Sequence, residues 1–62
     1  MYFCRINYKK GDMLHQDRIH NVLRLEGTFS EFDVFTMSGS VYHYSWYEDQ
    51  IQSVFLEKVY EL

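Results

Sequence analysis

The stretch Phe32-Asp33-Val34-Phe35-Thr36-Met37, then Ser38-Gly39-Ser40, then Val41-Tyr42-His43-Tyr44-Ser45-Trp46-Tyr47 decides the fold. Two runs rich in aromatic and β-branched residues flank a short turn. Such side chains suit a pleated, half-buried surface, and the glycine lets the backbone reverse, so the stretch reads as a β-hairpin. Period-two alternation puts Tyr42, Tyr44 and Trp46 on one side of its second strand, with Val41, His43, Ser45 and Tyr47 on the other.

Working outward, residues 1–8 alternate in the same way. Tyr2, Cys4, Ile6 and Tyr8 share one face, and Arg5 and Asn7 lie opposite, as in a strand with one side buried. Lys9-Lys10-Gly11-Asp12 closes this run as a turn. Residues 13–18 are polar and irregular and read as a loop. In residues 19–26, Ile19, Leu23 and Leu25 fall on one face, while His20, Arg24 and Glu26 lie opposite with Val22. A helix over residues 13–25 competes, but Gln16-Asp17-Arg18 interrupts its apolar stripe.

The C-terminal stretch supports two readings. Ile51, Val54, Phe55, Val59 and Leu62 fit helical spacing, with Ser45 and Glu48 as a capping box, whereas the β-branched and aromatic content favours a strand. The pattern D-x-I-x-x-V occurs at Asp17 and again at Asp49, which would make the two segments polar corners feeding similar strands. The expected fold is all-β: a five-stranded antiparallel meander curled into a small SH3-like barrel, with strands at 1–8, 19–26, 32–37, 41–47 and 51–60. The alternative is α+β, a four-stranded sheet with a C-terminal helix.

Sixty-two residues leave room for one small domain, which buries only about 60% of the surface its unfolded chain exposes. Cys4 is the sole cysteine, so no intrachain disulfide supports the core. Twelve aromatic residues compensate, and they are more than so thin a core hides. Surplus rings and an unprotected strand edge lead us to expect a homodimer or a partner interface. No uninterrupted apolar run, Val54-Phe55-Leu56 included, comes near the ~20 residues a membrane helix needs. With a lone cysteine, this points to a reducing, cytoplasmic setting and no membrane partner.

The chemistry available to an enzyme is sparse. His15, His20, His43 and Cys4 match no zinc-ligand spacing, so no metal or other cofactor is expected. Cys4 reads as a small buried hydrophobe. No glycine-rich phosphate loop appears, and neither Cys4 with a histidine nor Glu48 with Asp49 has a spacing that marks catalysis. A non-catalytic role is the expectation.

Charge separates along the chain. Residues 1–25 hold five basic residues (Arg5, Lys9, Lys10, Arg18 and Arg24) against two acidic ones, a balance of +3. Residues 26–62 hold seven acidic residues, including Glu26, Glu31, Asp33, Glu48, Asp49, Glu57 and Glu61, against Lys58 alone, a balance of −6. Two functions follow as expectations. In the first, Tyr42, Tyr44 and Trp46 with Glu31, Asp33, Glu48 and Asp49 form a protein-binding surface. It would engage the basic groove of a nucleic-acid-handling partner by mimicking phosphate charge. Compact, acidic, aromatic-rich chains of this size resemble, as a functional class, the small inhibitors that phages and mobile elements direct at host enzymes. In the second, Arg5, Lys9, Lys10, Arg18 and Arg24 with exposed aromatics bind nucleic acid directly. Two solvated faces of unlike sign would account for the same charges without either function.

Overall fold

Burial alternates over residues 3–7, 14–20 and 31–36, and the computed structural model, which describes residues 1–60, contains no helix among them. Five strands form one antiparallel sheet: β1 (Tyr2–Lys10), β2 (Met13–Gly27), β3 (Glu31–Thr36), β4 (Val41–Ser45) and β5 (Ile51–Lys58). The strand order is β4-β3-β2-β1-β5. The C-terminal helix is therefore excluded, and residues 51–58 form a strand. Glu61 and Leu62, which entered the acidic count and the helical spacing above, lie outside the described residues.

The expected all-β fold is present as five antiparallel strands in one sheet, with one correction to the expected meander. The first four strands run as a meander, but β5 pairs with β1 rather than with β4. Its start is set by a tight corner over Trp46–Gln50. Asp49 N–H donates to Ser45 O, Gln50 N–H to Tyr47 O and Ile51 N–H to Trp46 O, each at 3.1 Å. The Ser45 and Glu48 signal is real but short: Glu48 N–H reaches Ser45 Oγ at 3.4 Å, and Asp49, not Glu48, returns the contact through Oδ2 to Ser45 N–H at 2.7 Å. A capping motif here closes one turn and begins no helix.

The fifteen-residue strand β2 folds the sheet double. Its first half pairs with β1, from Lys10↔Met13 to Cys4↔Ile19, and its second half with β3, from Val22↔Thr36 to Gly27↔Phe32. Residues 13–18, read above as a loop, are thus strand. Their inward polar side chains are accommodated because His15 stacks on Tyr8 and Asp17 accepts two hydrogen bonds. At the bend a β-bulge breaks the register between Tyr2 and Cys4, and Asn21 takes φ = 56°, a conformation asparagine tolerates better than most residues. The extra residue resets the alternation. Ile19 and Val22, three apart, both point inward, and Leu23 is left 47% exposed. This overturns the assignment of Leu23 to the buried face and Val22 to the outer one. The Asp17 and Asp49 echo is likewise not structural, since Asp17 sits inside a strand and Asp49 in a corner.

The two half-sheets pack face to face around Cys4, Ile6, Ile19, Val22, Phe32, Val34 and Tyr44, with Tyr2, Tyr8, Leu25, Ile51 and Val54 against them. Cys4 is fully buried, as its place in the alternation required. Gly27 closes the second half because backbone and side chain crowd it: a Cβ there would lie 2.5 Å from Phe32 Cβ and 2.6 Å from Glu31 O.

Candidate functional site

Burial divides the aromatic residues into two groups. Tyr44 faces inward, only 8% exposed, and its hydroxyl donates to Asp17 Oδ2 at 2.8 Å. Tyr8 donates to Asp17 Oδ1 at 3.2 Å, so one carboxylate on the first half-sheet ties down a ring from the second. Burial, then the bond to Asp17 and its negative charge, push the Tyr44 phenol well above its ordinary range. Such a hydroxyl keeps its proton and serves as a structural donor rather than as a base or nucleophile. A cleft of about 160 Å³ lies beside it, between Tyr8, Asp17, His43, Tyr44 and Asp49. Burial also pushes up the Cys4 thiol. Among the described residues no group of three or more His, Cys, Asp or Glu side chains is placed to hold a metal ion.

Tyr44 thus has almost no surface to offer a partner. Tyr42, on the same side of β4, remains partly exposed. Trp46 caps the core from its end: its ring lies 4.6 Å from that of Phe32, which stacks on Tyr44 at 5.2 Å. The indole N–H donates to Thr28 O at 3.3 Å and the Trp46 backbone N–H to Ser30 O at 3.1 Å. These two bonds join the β2–β3 loop to the β4–β5 corner.

Between Thr28 and Ser30 stands Phe29, and next to Trp46 stands Tyr47. Phe29 is 96% exposed and Tyr47 88%, whereas Trp46 is only 36% exposed. Two rings that bury almost nothing within the chain are therefore carried by segments that hydrogen bonds hold together. The reading of the sequence missed both. Tyr47 was assigned to a strand, and Phe29 stood outside any pattern. The available signal was a large ring inside the turn-forming stretch Gly27-Thr28-Phe29-Ser30.

Carboxylates surround this end. An open notch of about 230 Å³ lies between Glu26, Gly27, Thr28, Glu31, Phe32 and Asp33, directly beside the loop that carries Phe29. Glu31 and Asp33 share the outer face of β3 and hold His43 between them, with Nδ1 2.5 Å from Asp33 and Nε2 3.5 Å from Glu31. The bond to Asp33, with the nearby charges of Asp33, Glu31 and Asp49, raises the imidazole above its ordinary 6.5 against a smaller opposing effect of burial. Glu48 projects from the corner. Asp49 is occupied in closing that corner, so its carboxylate is structural and its reversal would disturb the turn itself.

The five basic residues do not form one surface. Arg24 bonds Glu26 at 2.8 Å and lies over the Phe35 ring at 4.1 Å. Lys9 and Lys10 line a notch of about 320 Å³ together with Glu48 and Asp49, so opposite charges face them. Arg5 and Arg18 stand directly opposite each other on β1 and β2. No helix of the described residues is long and apolar enough to cross a membrane. Compared with known proteins, the chain matches no family model, no curated protein and no solved structure.

Proposed function

We propose that the protein is a small non-catalytic binding module, an inhibitor or adaptor, that grips a basic protein surface with Phe29, Trp46 and Tyr47. Glu26, Glu31 and Glu48 form the rim of the contact. The observation that carries this reading is the near-complete exposure of Phe29 and Tyr47 on segments pinned by the two Trp46 hydrogen bonds. Burying a ring of this size is worth about 1.5–3 kcal/mol, which the isolated chain forgoes at both positions and which association would recover. Central aromatic anchors on a rigid support, surrounded by charge, are what a binding hot spot requires. The notch lined by Glu26, Glu31 and Asp33 has room for a lysine or arginine side chain from the partner. The partner class that fits is a nucleic-acid-handling enzyme with an electropositive groove, and the setting is the cytoplasm, as for inhibitors encoded by phages and mobile elements.

The test compares quantitative capture from the native host by the intact protein and by the Phe29→Ser/Tyr47→Ser variant, with circular dichroism to show that both fold. A basic protein enriched by the intact chain and lost from the variant supports the proposal. Equal recovery of that protein by both would remove the aromatic end as its binding site.

A further inference from the structure

The outer face of β5, β1 and β2 carries a second arrangement, independent of the aromatic end. Along β1, Phe3, Arg5 and Asn7 point outward. Arg5 has Arg18 opposite it on β2 and Phe55 opposite it on β5. Like charges placed directly opposite one another destabilise a sheet unless something neutralises them. Among the described residues neither arginine has a carboxylate partner, since the ion pairs there involve only Arg24 and His43.

Both arginines are nevertheless held in place. The Arg5 guanidinium lies over the Phe55 ring, 4.6 Å from its centre, and Arg5 Nε is buried without a hydrogen-bond partner. Arg18 Nε donates to Gln16 Oε1 at 2.8 Å, Gln16 Nε2 to Asn7 Oδ1 at 2.7 Å, and Asn7 Nδ2 to Ser53 Oγ at 2.9 Å. This chain of bonds crosses all three strands and fixes the Nε side of Arg18. Two residues along from Arg5, on the other flank, Phe3 stacks on the exposed His20 ring at 4.7 Å. Positions two apart on a strand are separated by about 6.7 Å, the scale of one nucleotide step in an extended strand. Glu57, opposite Phe3, is the only acid in these rows among the described residues. The acids Glu26, Glu31 and Asp33 belong to the other half-sheet.

We propose that this face binds single-stranded nucleic acid, with Arg5 and Arg18 on a backbone phosphate and the Phe3–His20 stack beneath an adjacent base. Paired guanidiniums match the geometry of a phosphate, and an aromatic platform beside them accepts any base without sequence preference. An acidic protein segment would satisfy the arginines but would leave the stacked rings unused.

Fluorescence anisotropy of the full chain with a dye-labelled oligothymidylate tests this. Binding is expected at low salt, with a slope of log K against log salt of about −0.7, which corresponds to one phosphate neutralised on a single strand. Arg18→Gln, at an exposed site, weakens binding and flattens that slope. His20→Ala weakens binding about fivefold or more through lost stacking. Lys10→Gln and Phe29→Ser/Tyr47→Ser leave binding unchanged, which separates this site from the hairpin tip and from the aromatic end. Absence of binding at the lowest salt overturns the proposal. So does equal loss in Lys10→Gln and Arg18→Gln. Displacement by polyglutamate as effective as by unlabelled oligonucleotide assigns the face to an acidic protein instead and also overturns it.

Discussion

Removing the Asp17 carboxylate tests how the bent sheet is held. Asp17→Ala takes away the acceptor of Tyr44 Oη, at 2.8 Å across the interface between half-sheets, and leaves that hydroxyl in a mostly buried site. A hydrogen bond to a charged group contributes about 1.5–3 kcal/mol, and an orphaned buried donor costs a similar amount, so the variant loses about 2 kcal/mol. A domain of this length has a total stability of about 3–9 kcal/mol. The loss is therefore a large share of the whole and lowers Tm by about 8–16 °C. Tyr44→Phe removes the donor instead and costs less, because Asp17 is only half-buried, borders an open cleft and still accepts from Tyr8. Urea unfolding followed by circular dichroism of the wild type, both single variants and the double variant gives the coupling directly. A coupling of about 1 kcal/mol or more is expected. Additive single effects, or an Asp17→Ala loss below about 0.5 kcal/mol, would refute the claim that this contact joins the halves.

Three further outcomes follow from the same structure. Gly27→Ala, which drives a Cβ into Phe32 and Glu31, lowers stability by about 1–3 kcal/mol in chemical denaturation, and an unchanged midpoint would contradict the close approach. Asn21→Gly is neutral or stabilising while Asn21→Val costs about 1–2 kcal/mol, because the bulge holds φ at 56°; the reverse order would place the bend elsewhere. His43 titrates above 6.5 by NMR and falls back in Asp33→Asn. Because its folded value is raised, the stability it lends is full below the ordinary value and fades as pH rises through the raised one. A midpoint at or below 6.5 in the intact protein would deny the contact with Asp33.

Much of the fold was legible because alternation and turn residues agreed. Cys4 and Ile6 lie where period two puts them, and Ser38-Gly39-Ser40 does join two paired strands. The strand character of residues 51–58 followed from β-branched content, against a capping motif that serves only one turn. Two things were hidden for physical reasons. Inward-facing polar residues at His15 and Asp17 erased the alternation of the first half of β2, because the rings that accommodate them lie on other strands, Tyr8 across the hairpin and Tyr44 on β4. The bulge at Asn21 then reversed the faces of Val22 and Leu23, which no local pattern announces. The candidate site was half legible. The acidic rim at Glu31 and Glu48 and the ring of Trp46 were identified from the sequence. Tyr44 was misplaced because a strand face does not reveal which of its rings the opposing half-sheet covers. Phe29 and Tyr47 escaped because their significance lies in what they do not touch.

Placing a photo-crosslinking benzophenone amino acid at position 47, and in a separate variant at position 23, probes the aromatic end in the native host. Leu23 serves as the comparison because it is apolar and exposed but lies on the outer side of β2. Irradiation is expected to give one discrete adduct with a basic protein from position 47 and none from position 23. No adduct from position 47, or the same adduct from both positions, would contradict the account.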